Sequence, residues 1–167
     1  MNESFVDDEF IRKLIDRYSD MIYRVSFQYV RNAQDADDIV QDVLLGLLEY
    51  FPRANFQSDE HLKAWLIRVA INKSINAAKL NARRRKREAS ELTLTAEQTQ
   101  SQFDDLESVL NQLTAIDREI IYLHYYEGYS AKEIAEMVHK TEKSVFKRLS
   151  RSRNKLKEFL SEGGSVI

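Results

Sequence analysis

Apolar residues recur along most of this chain at intervals of three and four, the period of a helix with one buried side. Between residues 5 and 31 they fall at Phe10, Leu14, Ile15, Tyr18, Ile22, Val25, Phe27 and Tyr29. The polar run RNAQDADD then marks a turn and a new helix start. Asp35 can cap it, and Asp37 and Asp38 suit its positive end. That helix continues through IVQDVLLGLLEYF and is expected to stop before Pro52, because proline lacks the N–H that would extend it. After the loop RANFQSDEH, Ser58 can cap a third helix over residues 59–87. Its inward side is Leu62, Trp65, Leu66, Val69, Ala70 and Ile75.

Over residues 88–107 the period fails. The run EASELTLTAEQTQSQFDDLE has no Lys or Arg and reads as an acidic linker. Helices resume over residues 106–115. Asp117 is expected to cap REIIYLHYYE, with Gly128 closing it in a left-handed conformation. SAKE, starting at Ser130, has the form of a capping box and opens a short helix with Ile134, Ala135, Met137 and Val138 inward. His139 and Lys140 break it. Thr141 caps the last helix, where Val145, Leu149, Leu156 and Leu160 form one apolar stripe. The expected fold is all-α: two small helical domains, residues 1–87 and 108–167, joined by the acidic linker 88–107. Only four glycines and one proline in 167 residues agree, since sheet folds need many tight turns.

Charge changes the picture more than composition does. The net charge of -2 hides four blocks: -7 over residues 1–60, +9 over 61–87, -9 over 88–138 and +5 over 139–167. The second block contains no acid and ends in ARRRKR; the fourth centres on TEKSVFKRLSRSRNKLKEFL. Two basic segments on one chain suit two contacts with a polyanion, and nucleic acid is the commonest. The competing reading is two solvated helix faces. With no cysteine, a disulfide scaffold, a thiolate nucleophile and a Cys-ligated zinc are excluded, and a reducing, cytoplasmic setting fits. The first twenty residues are acidic and interrupted by charge, unlike a signal peptide. The longest apolar runs, about five residues, fall far short of the roughly 20 needed to insert in a membrane.

The last two helices have the proportions of a helix-turn-helix: a short brace, a tight turn, and a longer helix with a basic front. Lys143, Phe146, Lys147, Ser150, Arg151 and Asn154 face away from the apolar stripe. Arg and Lys can donate to guanine O6 and N7, while Ser and Asn can reach base edges or phosphates. An amphipathic helix with a merely solvated face is the alternative.

Two stretches together resemble one family. IYLHYYEGYSAKEIAEMVHKTEKSVFKRLSRSRNKLKEFL resembles the C-terminal promoter-reading domain of the extracytoplasmic-function (ECF) sigma factors, in the sigma-70 family of bacterial RNA polymerase. RNAQDADDIVQDVLLGLLEYF and LKAWLIRVAINKSINAAKLNARRRKR resemble the N-terminal domain of the same group. The resemblance implies a promoter-specificity subunit with core RNA polymerase and promoter DNA as partners. It also implies an anti-sigma factor that holds the protein inactive, and neither catalytic residue, cofactor nor metal. It assigns polymerase binding to Asp35, Asp38, Ile39, Gln41, Asp42 and Leu45. It assigns the downstream (-10) element to Phe56, Arg68, Asn72, Lys73, Asn76, Lys79, Arg83 and Arg84. The upstream (-35) element falls to Lys143, Phe146, Lys147, Arg148, Ser150, Arg151 and Arg153. Trp65 can support the -10 stripe or simply pack in the core, the reading preferred here, and Phe56 can stack on an extruded base. The linker acids Glu88, Glu91, Glu97, Asp104, Asp105 and Glu107 can mimic a polyanion or serve as a soluble tether. Thr114 and Ala115 stand where a proline is common in the family, and His139-Lys140 where a glycine and an apolar residue often stand.

Two other classes compete. A stand-alone helix-turn-helix regulator would bind operator duplex without polymerase, residues 1–87 serving as a partner or dimer domain. A nuclease would use Asp35, Asp38 and Asp42 as metal ligands, but no histidine is near them, and capping and solvation account for the acids.

Overall fold

The computed structural model describes residues 7–91 and 110–163. Among them there is no strand, and the chain divides into two compact units, Met1–Asn81 and Ala82–Ile167.

In the first unit, α1 (Asp8–Val30) and α2 (Ala33–Tyr50) lie along one another. Their apolar stripes meet through Leu14, Tyr18, Met21, Ile22 and Val25 on α1 and Ala36, Ile39, Val43 and Leu47 on α2, all buried. Arg31 ends α1 in the left-handed region at φ 56°, with its N–H on the Phe27 carbonyl. The cap of α2 is Asn32 rather than Asp35. The Asn32 side-chain Oδ1 accepts from the Asp35 backbone N–H at 2.8 Å, which places Asp35 inside the first turn. Pro52 sits in a single 3-10 turn, Phe51–Arg53, immediately beyond α2. Ser58, accepting from the His61 N–H at 3.1 Å, caps α3 (Asp59–Glu91), which begins in this unit and continues past its last residue, Asn81.

Helix α3 has 33 residues and is about 50 Å long. Its buried side is Leu62, Leu66, Ile67, Ala70, Ile71 and Ser74. Trp65, Val69 and Ile75, expected there, are half-buried on its flanks, and Ile67 and Ile71 take their place. The Ser74 hydroxyl is satisfied by donating to the Ala70 carbonyl at 2.6 Å. The helix also runs four residues past Arg87, so the first part of the expected linker is helical. EASE contains neither proline nor glycine, and nothing in it breaks the ladder. Residues 92–109 lie outside the described residues; of the helix expected over 106–115, residues 110–112 are helical and the turn ends at Leu113 and Thr114.

In the second unit, Thr114 caps α4 (Ala115–Ile121) by accepting from the Asp117 N–H at 3.3 Å, so Asp117 is a first-turn residue and not the cap. The helix widens into a π turn, Tyr122–Tyr126, and ends at Gly128, whose φ of 79° bears out the left-handed stop. Helix α5 (Ala131–Met137) opens with the full capping box. Ser130 Oγ accepts from the Glu133 N–H at 3.3 Å, and Glu133 accepts from the Ser130 N–H at 2.8 Å. Hydrogen bonds from Ser130 to the ionised carboxylate, the backbone bond first and then the side-chain bond, pull Glu133 below its usual range. His139 takes φ 55° in the turn, and the Lys140 N–H bonds back to the Ala135 carbonyl at 3.0 Å. Thr141 then caps α6 (Glu142–Gly163), accepting from the Ser144 N–H at 3.1 Å.

Both α4 and α5 pack on α6. Val145, Leu149 and Ser152 of α6 are buried and Leu156 is half-buried, but Leu160 is 60% exposed. At 100° per residue Leu160 lies about 60° round from Val145, off the centre of the stripe. Phe159, half-buried, continues it instead.

Candidate functional site

The outward side of α3 carries a ridge of donors. Arg68, Asn72, Asn76, Lys79 and Arg83 are all exposed and lie within about 40° of Asn72 round the helix. The buried Leu66, Ala70 and Ser74 face the opposite way. Lys73 is half-buried and Arg84 exposed, and both sit about 100–120° from that line, so they flank the ridge rather than belong to it. Two amides flanked by cationic side chains along one line suit unpaired bases and phosphates together.

Beside the start of α3 is an aromatic cluster. Tyr50 stacks on Trp65 with ring centroids 5.3 Å apart and planes within 5°. Phe56 meets Trp65 edge-on at 5.7 Å and also approaches Tyr50, Phe51 and His61. Phe56 is therefore a half-buried hub among four rings. Tyr50, exposed on its outer side, offers the accessible aromatic surface.

On α2, Asp38, Gln41, Asp42 and Leu45 are exposed on one face, with Leu45 59% exposed. Ile39 lies about 100° round from Asp38 and is only 5% exposed. Its expected place on the polymerase-binding face is corrected here: it is core. Asp35 is half-buried and engaged, its Oδ2 accepting from Asn32 Nδ2 at 2.7 Å and from Asn81 Nδ2 at 2.6 Å. Next to Leu45 and Gln41 opens an apolar cleft of about 260 Å³ between α1 and α2, walled by Ile11, Ile15, Leu44 and Leu48. Among the described residues no group of three or more His, Cys, Asp or Glu side chains could hold a metal ion. No described helix is long and apolar enough to cross a membrane.

The seven residues expected at the upstream element do not form one face. Lys143, Lys147, Arg148 and Arg151 line a polar hollow with Thr141 and Ser144 at the start of α6, where the helix dipole adds to their charge. Phe146 is exposed at its border, and Ser150 is exposed but lines a neighbouring cleft. Arg153 borders that same cleft, with Tyr125, Leu156 and Leu160. Arg148 is half-buried, and its Nη1 donates to Asp117 Oδ1 of α4 at 2.7 Å, which holds the long helix to the helix behind it.

Glu119 of α4 is fully buried, and among the described residues neither carboxylate oxygen has a hydrogen-bond partner. Burial, and then the Glu127 charge, push its carboxyl well above the usual range against the pull of Arg118. Reading the sequence missed Asn81, Tyr50 and Asn32. Asn32, three residues before Asp35, carried a legible capping signal. Asn81 did not, since its partner is 46 residues away.

Comparison with known proteins agrees with this arrangement. The family pattern for sigma-70 region 2 matches residues 14–88, and that for sigma-70 region 4 matches residues 103–156. The chain is 26% identical over 132 residues to the RNA polymerase sigma factor SigV of Bacillus subtilis, covering 78% of each protein. It is 27% identical over 163 residues to the ECF RNA polymerase sigma factor SigL of Mycobacterium tuberculosis, covering 92% of this chain and 90% of that one. In fold it is similar to the sigma factor RpoE solved with the anti-sigma factor NepR from Bartonella quintana. There the TM-score is 0.68 at 24% identity, over 93% of this chain and 98% of that one. With both halves matched in order, this chain belongs to the extracytoplasmic-function group of the sigma-70 family and is an RNA polymerase sigma factor.

Proposed function

We propose that this sigma factor docks on core RNA polymerase through the exposed face of α2 and reads a two-element promoter through α3 and α6. The observation that carries this division is the alignment of Arg68, Asn72, Asn76, Lys79 and Arg83 on the outer side of α3, opposite its buried face. A line of amide and cationic donors suits the -10 element as it opens into single strands. The polar hollow of Lys143, Lys147 and Arg151 at the start of α6 suits the -35 duplex, where a helix N-terminus and basic side chains enter the major groove. Asp38 and Asp42 offer carboxylates to a basic partner, and Leu45 with the adjoining cleft offers apolar contact. The same cleft suits the apolar side chains of an inhibitory anti-sigma partner. Catalysis belongs to the polymerase core, and the protein acts in the cytoplasm.

The test is reconstitution. The protein added to core polymerase should bind it and start transcription selectively at a promoter with two recognition elements. Reversing Asp38 and Asp42 to Lys should weaken core binding. Replacing Asn76 should slow opening, and replacing Lys147 or Arg151 should weaken upstream-element binding. Tight duplex binding without polymerase, unaffected by adding core enzyme, would favour a stand-alone regulator instead.

A further inference from the structure

Within α3 the buried residues stop at Ser74. From Ile75 to Lys79 the helix has only half-buried contacts at Ile75, Ala77 and Ala78, and Leu80 is exposed. Yet this stretch carries Asn76 and Lys79, two donors of the ridge. Side-chain packing alone therefore holds it loosely, because three half-buried contacts, two of them from alanine, anchor a helix weakly. Just beyond, Asn81 donates to Asp35 Oδ2 at 2.6 Å. The same oxygen accepts from Asn32 Nδ2 at 2.7 Å, and Asn32 caps α2. Both bonds end on a carboxylate and are short, as charge-assisted bonds are.

We infer that Asp35 is a positioning residue: through Asn81 it clasps the reading end of α3 to the start of the docking helix α2, rather than serving as a polymerase contact. The clasp sits three residues before Asp38, where the docking face begins, and two residues after Lys79. Its chemistry explains the residue types. A carboxylate oxygen can accept two amide donors at once, and a helix N-terminus favours the charge. The consequence is mechanical. Asn76 and Lys79 are presented to DNA at a fixed height relative to the polymerase, so docking and reading occur in register. This inference rests on the assignment of the α3 ridge to the -10 element.

The test uses the full chain with core polymerase, and as probe a fork-junction DNA selected from a random pool by the wild-type holoenzyme. Asn81→Asp sets two carboxylates against each other. The exchange variant Asp35→Asn with Asn81→Asp restores one donor and one acceptor across the clasp, at the cost of the Asn32 bond, since one atom at position 35 meets both amides. The expected result is unchanged core binding for both variants. Asn81→Asp should show about tenfold weaker fork binding and faster hydrogen exchange at residues 75–81, with both restored by the exchange variant. If Asn81→Asp binds the fork like wild type, or if the exchange variant fails to restore protection, the clasp is refuted. If restored protection comes without restored binding, Asn81 contacts DNA directly and the positioning role is also overturned. Should the wild-type holoenzyme select no fork DNA while still binding core, the ridge assignment fails rather than the clasp.

Discussion

Arg148 illustrates how a basic side chain on α6, the helix proposed to read DNA, can serve the fold. Its Nη1 lies 2.7 Å from Asp117 Oδ1, with the two side chains 30% and 17% exposed. A fully exposed pair would contribute about 0.2–1 kcal/mol, and a hydrogen bond to a charged group about 1.5–3 kcal/mol. This pair, partly shielded and joining α4 to α6, falls between, at about 1–2 kcal/mol. Arg148→Ala should therefore speed hydrogen exchange of the slowest amides in α4 and α6 by about 5- to 30-fold in the intact protein. The variant should keep the salt dependence of upstream-duplex binding. In contrast, Lys147→Ala or Arg151→Ala should leave exchange unchanged and reduce the slope of log affinity against log salt by about 1. The reasoning is refuted if Arg148→Ala lowers that slope while the amides exchange at wild-type rates, since Arg148 would then be a phosphate contact.

Three other consequences can be checked by urea unfolding of the second unit, followed through amide exchange. His139→Gly should stabilise it by about 0.5–1 kcal/mol, because φ 55° strains a residue with a Cβ and suits glycine; equal or lower stability would remove the strain argument. Ser130→Ala should cost about 1 kcal/mol by undoing the capping box, and a negligible change would show that water replaces the cap. The depressed Glu133 carboxyl contributes stability that is present above its unfolded value and lost as pH falls through its folded one. Glu119 has the opposite sign. Its folded value is raised, so its contribution is complete below the unfolded value of about 4.3 and is lost as pH rises through the folded value. Glu119→Gln should therefore stabilise the unit more at pH 8 than at pH 5, and a pH-independent effect would refute the buried-acid account.

The periodicity of the chain determined a great deal. Helix existence, the stop before Pro52, the left-handed Gly128, the Ser58 and Thr141 caps and the SAKE box all depend on neighbours within about four residues, and local sequence holds that information. Charge blocks also pointed to the two basic surfaces, because clustered charge repels and stays in water wherever the helices pack. Tertiary structure decided what depends on rotation about a helix axis and on distant partners. A shift of one residue turns a side chain by about 100°, which places Ile39 in the core beside the exposed Asp38, on a helix where both were expected on one docking face. The bonds of Asp35 to Asn81 and of Arg148 to Asp117 span 46 and 31 residues, so no local pattern announces them. In the sequence both Asp35 and Arg148 read as contacts for partners; in the fold each is bonded to a distant side chain. The physical reason is that a charged side chain looks the same in sequence whether it faces a partner molecule or a neighbouring helix.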